Sequence, residues 1–202
     1  MKLYTADMAP NPKRVTMFAA AKGLSLELVQ VNIREGEQKT PEFLVKNPSG
    51  KIPVLELHDG TCIAETIAIC RYLEALQPTP NLFGSTPLEI AQIEMQHRFI
   101  EFELFSQVGT SWVNGPIIAA TGLIEPIEAA KARSDGLVNA YYERLDRELS
   151  VRPFIAGERF TVADITSYCI IEFASNLVGL KPHEKHSALW GWYQSVAEKG
   201  FD

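Results

Sequence analysis

Residues 47–66 constrain the fold more than any other stretch of this chain. Asn47-Pro48-Ser49-Gly50 reads as a turn, followed by a strand opened by Pro53, an Asp59-Gly60 hairpin, a short return strand and a helix start at Glu65-Thr66. Leu55 and Leu57 alternate with Glu56 and His58, the period of two that marks a half-buried strand. Asp-Gly suits a two-residue hairpin loop, because both central residues of that turn take positive φ. Pro53 has no N–H to give a ladder and belongs at a strand's start or edge, and the Ile52-Pro53 bond is a candidate cis peptide. Ile52 is expected to turn its amide and carbonyl outward, where an extended peptide can pair with them. Thr66 opens an apolar helix over 67–76, whose first amides lack intrahelical partners and favour a carboxylate. One segment thus offers a strand edge for a small peptide and an anion socket beside it.

The remainder of the chain narrows the class. With 202 residues, one or two domains and a substantial core are expected. A formal charge of −6 argues against nucleic acid as a partner, since phosphate binding wants a basic face. The opening residues, Met1-Lys2-Leu3-Tyr4-Thr5-Ala6-Asp7, lack the apolar core of a secretory signal. The region 165–180 is broken by Ser167, Glu172, Ser175 and Asn176, too polar for a membrane span, so no membrane partner is expected. Cys62, Cys70 and Cys169 form no Cys-x-x-Cys pair and no metal-ligand spacing with the four histidines. They read as free thiols in a reducing cytoplasm, with no metal site.

The first 80 residues alternate strand and helix: a strand at 2–6, a helix at 12–22 ending at Gly23, a strand at 26–33, a polar loop at 34–40 and a short helix at 41–46 capped by Thr40. With the hairpin and the 66–76 helix this is a βαβαββα order, that of a thioredoxin-type α/β sandwich. Gln77-Pro78-Thr79-Pro80-Asn81 is a proline-rich break, dividing an N-terminal domain, 1–80, from an all-helical domain, 81–202. Helical patterns run over 87–114, 126–149, 162–178 and 187–197. Thr161-Val162-Ala163-Asp164 is a capping box with Asp in place of Glu, and Phe160 and Ile165 are spaced as its hydrophobic staple.

Lys51-Ile52-Pro53-Val54, Asp59-Gly60 and Glu65-Thr66 together resemble the glutathione-binding half of the soluble glutathione transferases, and the likeness extends over nearly the whole chain. The Phe-Thr-Val-Ala-Asp-Ile segment at 160–165 resembles the capping motif of that family's helical domain. The resemblance implies glutathione as co-substrate, held by the Ile52 backbone beside Pro53, with Glu65 facing its ammonium and Thr66 its γ-glutamyl carboxylate. Gln38 or Lys39 is a candidate for the glycyl carboxylate, a solvated loop being the alternative. It also implies a homodimer.

Glutathione reacts as its thiolate, and a thiol of pKa near 8.5 is only a few per cent ionised at pH 7. Each unit of depression is worth about 1.4 kcal/mol, so a donor must face the sulfur. Relatives supply it from the loop after the first strand. Here that loop is 7–15, and Ala9 stands where a hydroxyl or thiol is usual. Asn11 is the one short polar side chain in reach, in a Pro-Asn pair similar to that of the nu-class transferases. It is read as an N-cap that also addresses the sulfur, or as a cap alone. Tyr4 is read as packing.

A small hydrophobic electrophile is expected between Met8 and the helix carrying Phe102, Phe105, Gly109 and Trp112, a stripe that equally suits core packing. His97 and Arg98 are read as solvated or interfacial. The leading function is transfer of glutathione to an electrophile. Disulfide reduction or peroxidase chemistry is the first alternative, and a non-enzymatic interaction module the second.

Overall fold

The period-two segments pair into one sheet. In a computed structural model describing residues 1–201, β1 (Lys2–Thr5), β2 (Glu27–Gln30), β3 (Val54–Glu56) and β4 (Cys62–Ala64) lie in the order β2-β1-β3-β4. β1 and β2 are parallel, with Tyr4 opposite Val29, which requires the crossover that α1 (Pro10–Ala21) provides. β3 runs antiparallel to both neighbours, Val54 facing Tyr4 on one side and Ala64 on the other. α2 (Pro41–Lys46) starts at Thr40, whose hydroxyl accepts from Phe43 N at 3.4 Å, and α3 (Thr66–Leu76) follows β4 directly. Leu3, Val54 and Leu55 are fully buried, together with Val15 and Phe18 from α1 and Ile69 and Leu73 from α3. This is the thioredoxin-like α/β layer expected from the sequence.

Three local expectations are corrected. The second strand stops at Gln30 instead of Ile33: it pairs only with the four-residue β1, and after Val31 N donates to Thr5 O at 2.7 Å it has nothing left to pair with. The hairpin loop is His58-Asp59-Gly60, closed by Leu57 N to Thr61 O at 2.8 Å, one residue longer than the expected two. Asp59 accepts from Thr61 N at 2.9 Å and Gly60 alone takes the left-handed conformation, φ 86°, so one glycine suffices where a two-residue turn needs two positive φ values. α1 begins at Pro10, two residues early, because Pro10 brings its own helical φ. Ile52–Pro53 is cis, as anticipated, and so is Thr79–Pro80.

The chain divides into two compact units, Met1–Leu82 and Phe83–Gly200. The second is helical: α4 (Pro87–Phe99), a π-helical stretch Ile100–Phe105, α5 (Ser106–Val113), α6 (Pro116–Ala119), α7 (Glu128–Leu149), α8 (Val162–Phe173), a π-helical stretch Ala174–Val178 and α9 (Ser187–Ala197). Among the described residues its only β pairing is an isolated bridge between Phe154 and Gly157. The capping box at Thr161 forms as read: Thr161 Oγ1 accepts from Ala163 N at 3.3 Å and Asp164 Oδ2 from Thr161 N at 2.8 Å. Asp164 is wholly buried and also accepts from Ile155 N and Trp192 Nε1, both at 2.9 Å. Burial pushes its carboxyl upward, against the pull of those donors. No helix among the described residues is long and apolar enough to cross a membrane.

Candidate functional site

The sheet register brings the segments singled out by sequence to one end of the first unit. Continuing the ladder beyond Tyr4↔Val54 and Val54↔Ala64 sets Ile52-Pro53 between the residues after β1 on one side and Glu65-Thr66 on the other. β2, parallel to β1, delivers its following loop, with Gln38 and Lys39, to the same end. Two helices start here, α1 and α3. Ile52 is half-buried, and its main chain makes no hydrogen bond to another described residue.

Neither helix start is closed by a side chain. At α3 the flanking residue is Glu65, exposed, with φ 71° and ψ 121° and no capping hydrogen bond. A non-glycine residue at positive φ costs on the order of 1–3 kcal/mol and persists only where its surroundings impose it. Thr66, just after it, is buried. No acidic side chain occupies the first turn, so no carboxylate of the helix itself meets the positive end of the α3 dipole.

At α1 the flanking residue is Ala9, not Asn11, which corrects the reading of Asn11 as an N-cap. Pro10 brings its own helical φ and pushes Ala9 into extended backbone, so the helix starts at Pro10 and Asn11 already lies in its first turn. The Asn11 side chain turns to Arg14 instead: Arg14 Nη1 donates to Asn11 Oδ1 at 3.0 Å. Arg14 is 2% exposed, a buried cation that the sequence reading missed. Its signal was the spacing of three from Asn11 on a helix whose Val15, Met17 and Phe18 face inward. Met8, 68% exposed, is the other non-glycine residue at positive φ, 62°. Both left-handed non-glycine residues among those described thus sit at the approaches to α1 and α3, beside Ile52 in the register.

Other expected residues fare differently. Lys39 Nζ donates to Ser49 O at 3.2 Å, across to the turn after α2, and Gln38 Nε2 to Ile33 O at 3.4 Å, within its own loop. Gly50, at φ 58°, lies under the Lys39 side chain, where any Cβ would come within 2.8 Å of Nζ. Tyr4 is structural: its hydroxyl donates to Glu56 Oε2 at 2.8 Å and its ring meets Phe43 edge-on at 5.8 Å. In the second unit Phe105 and Trp112 are half-buried, and Trp112 packs edge-on against Phe173 at 5.2 Å. A Cβ on Gly109 would meet nothing within 4 Å, so the gap in that stripe is open space. His97 is not solvated: it is 1% exposed, with Nε2 3.0 Å from Thr166 Oγ1, on the face of α4 turned to α8. The three cysteines form no disulfide, and burial drives the Cys70 thiol up to about 12 despite Arg14 nearby.

The family model for the glutathione S-transferase N-terminal domain matches residues 1–75, and that for the C-terminal domain matches 105–199. Glutathione S-transferase 2 of Saccharomyces cerevisiae is 38% identical over 98% of this chain and 86% of its own length. The crystal structure of Gtt2 from the same yeast superposes with a TM-score of 0.88 at 35% identity, covering 100% of both chains. Elongation factor 1-gamma 2 of Oryza sativa subsp. japonica is 34% identical over 83% of this chain, which spans only 38% of that protein.

Proposed function

The chain belongs to the glutathione S-transferase family, and on that premise we propose that it binds glutathione at the Ile52, Glu65 and Thr66 end of the sheet and ionises its thiol there. Glu65 at φ 71° carries this reading: a strained residue beside an uncapped helix start is explained by a ligand carboxylate on the Thr66 amide and a ligand ammonium on the Glu65 side chain. Ile52 supplies the main-chain edge for the cysteinyl residue, beside Pro53. Gln38 and Lys39 would have to leave their loop partners to reach the glycyl end. Asn11 donates to the sulfur through its amide nitrogen, aided by the positive end of α1.

The thiolate then attacks an electrophilic carbon, forming a thioether and expelling the leaving group with its electron pair. In the helical unit, half-buried Phe105 and Trp112, with the open space at Gly109 between them on the helix, would offer an electrophile an apolar surface. Calorimetry with millimolar glutathione tests the site; a well-folded protein giving no heat of binding defeats it. Ala9, where relatives carry a hydroxyl or thiol, favours a second chemistry: attack on a mixed disulfide, releasing oxidised glutathione and the other thiolate. Turnover of an aryl halide but not of a glutathionyl disulfide excludes that version.

The elongation-factor likeness favours a further reading, an assembly module that leaves glutathione alone. A homodimer fits the second unit, where Phe102, 66% exposed, and Leu137, 44% exposed, line an open hollow of about 350 Å³ together with Tyr141 and Arg144. Sedimentation of Phe102→Glu as a monomer, with the native chain at twice its mass, supports pairing through that face. A native chain already sedimenting as a monomer removes the dimer.

A further inference from the structure

We propose that buried Arg14 is a positioning residue, which fixes the direction of the Asn11 amide so that its NH2 group, and not its oxygen, is presented to the thiol. The proposal rests on the glutathione reading above and adds to it a residue outside the binding groups.

A side-chain amide has a donor end and an acceptor end of nearly equal size, and by itself it presents either. Only the NH2 end stabilises a thiolate; the oxygen end repels it. Direction therefore decides whether Asn11 helps or hinders ionisation. Arg14 removes the choice, because a guanidinium has five donor hydrogens and no acceptor. Its Nη1 lies 3.0 Å from the amide and can be met only by Oδ1. With the oxygen held, the nitrogen faces away from Arg14. The hold is stiff, since Arg14 is 2% exposed and stands one helical turn from Asn11 on α1. No capping bond competes for Asn11, because Ala9 occupies the flanking position.

The readout is the pKa of glutathione bound to the protein, followed by thiolate absorbance or by the carbon shift of labelled cysteinyl Cβ, with affinity measured alongside. Asn11→Asp keeps an oxygen for Arg14 and replaces the NH2 with a second acceptor, so the bound thiol is expected to titrate highest in Asn11→Asp, lower in Asn11→Ala and lowest in the native protein. Arg14→Lys, still a pure donor, is expected to keep the native value. Arg14→Gln can accept as well as donate, frees the amide to turn, and is expected to raise the thiol pKa by about one unit, a tenfold loss of thiolate. That rise should vanish in the Asn11→Ala background, which separates action through Asn11 from a direct effect of the Arg14 charge.

An Arg14→Gln protein that binds glutathione with the native thiol pKa overturns the proposal. So does an equal rise in both backgrounds. Should Arg14→Gln not fold, an Asn11→Asp value at or below that of Asn11→Ala overturns it as well. If Asn11→Ala leaves the thiol unchanged while glutathione still binds, the role given to Asn11 is wrong and this proposal falls with it. Absence of any glutathione binding instead defeats the function proposed above.

Discussion

Two helix starts, both led by threonine and an acidic residue, have opposite designs. At α8, Thr161 and Asp164 close the helix on itself, and Asp164 takes donors from Thr161, Ile155 and Trp192 while wholly buried. At α3, Glu65 and Thr66 close nothing: the flanking residue is bent to φ 71°, makes no cap and leaves the first amides open. α2 and α4 follow the closed design, with Thr40 and Thr86 as caps, while α1 shares the open one. A start that satisfies its own donors contributes to folding and has nothing left for a ligand. An open start forgoes about 1 kcal/mol of capping and retains a preorganised anion site. Within the first unit the two open starts, α1 and α3, flank Ile52-Pro53, and the closed start of α2 follows the loop of Lys39; in the helical unit α6, α7 and α9 also lack a side-chain cap.

Removing Asp164 should give the largest effect. Asp164→Ala strands two backbone amides and an indole N–H in the interior, each costing ~1–3 kcal/mol. The net loss of stability expected is about 3–5 kcal/mol, the usual cost of breaking a buried charged cluster, or roughly 6–20 °C in Tm at ~2–4 °C per kcal/mol. Urea unfolding measures it, and the same variant, kept cold enough to stay folded, should bind glutathione with native affinity. Native stability in this variant would contradict the role given to the closed start.

Glu65→Gly reverses the pattern. Glycine relieves the left-handed strain but adds chain entropy, so stability should move by no more than about 1 kcal/mol. Glutathione affinity should fall ~10–100-fold, because a hydrogen bond to a charged group worth ~1.5–3 kcal/mol is lost. A stability loss as large as that of Asp164→Ala, with affinity intact, would make the open start structural after all. Asn11→Ala comes next: glutathione should still bind, but its thiol pKa should rise by about one unit, or ~1.4 kcal/mol, moving the rise with pH of kcat/KM for the electrophile, at saturating glutathione, by the same amount toward alkali.

The closed starts were the more legible in sequence. Thr40-Pro41 and Thr161-x-x-Asp164 announce themselves because cap, partner and helix lie within four residues, and the succession of strands and helices along the chain follows from patterns over similarly short spans. What sequence missed depends on contacts it does not encode locally. Asn11 before Pro12 has the look of a cap, yet Pro10 starts the helix first and hands Asn11 to Arg14. Arginine usually marks a surface, and only the fold buries this one. His97 reads as solvated or interfacial in a polar run, and the packing of α4 on α8 decides between the two by enclosing it with Thr166. Glu65 was legible as a ligand and not as a strained residue, since φ at that point is set by the join of β4 to α3.

The smallest expected effect sharpens the comparison from the closed side. Glu89, in the first turn of α4, accepts from Ser85 N at 2.8 Å and from Arg159 Nε at 2.6 Å, bonds made entirely within the helical unit. The Ser85 amide first, then the Arg159 guanidinium and the Ser85 hydroxyl, hold its carboxyl down at about 2. A carboxyl lowered on folding contributes stability that is complete above its unfolded value, about 4.3, and fades as pH falls from there through about 2. The pair is partly exposed, so screening keeps the whole contribution within about 1 kcal/mol. Glu89→Gln should therefore unfold slightly more easily at pH 7 and converge with the native protein near pH 2. Urea midpoints taken between pH 2 and 7 measure the convergence. A gap that stays constant over this range would mean that Glu89 acts through packing and not through its charge, and that a closed start need carry no charge at all.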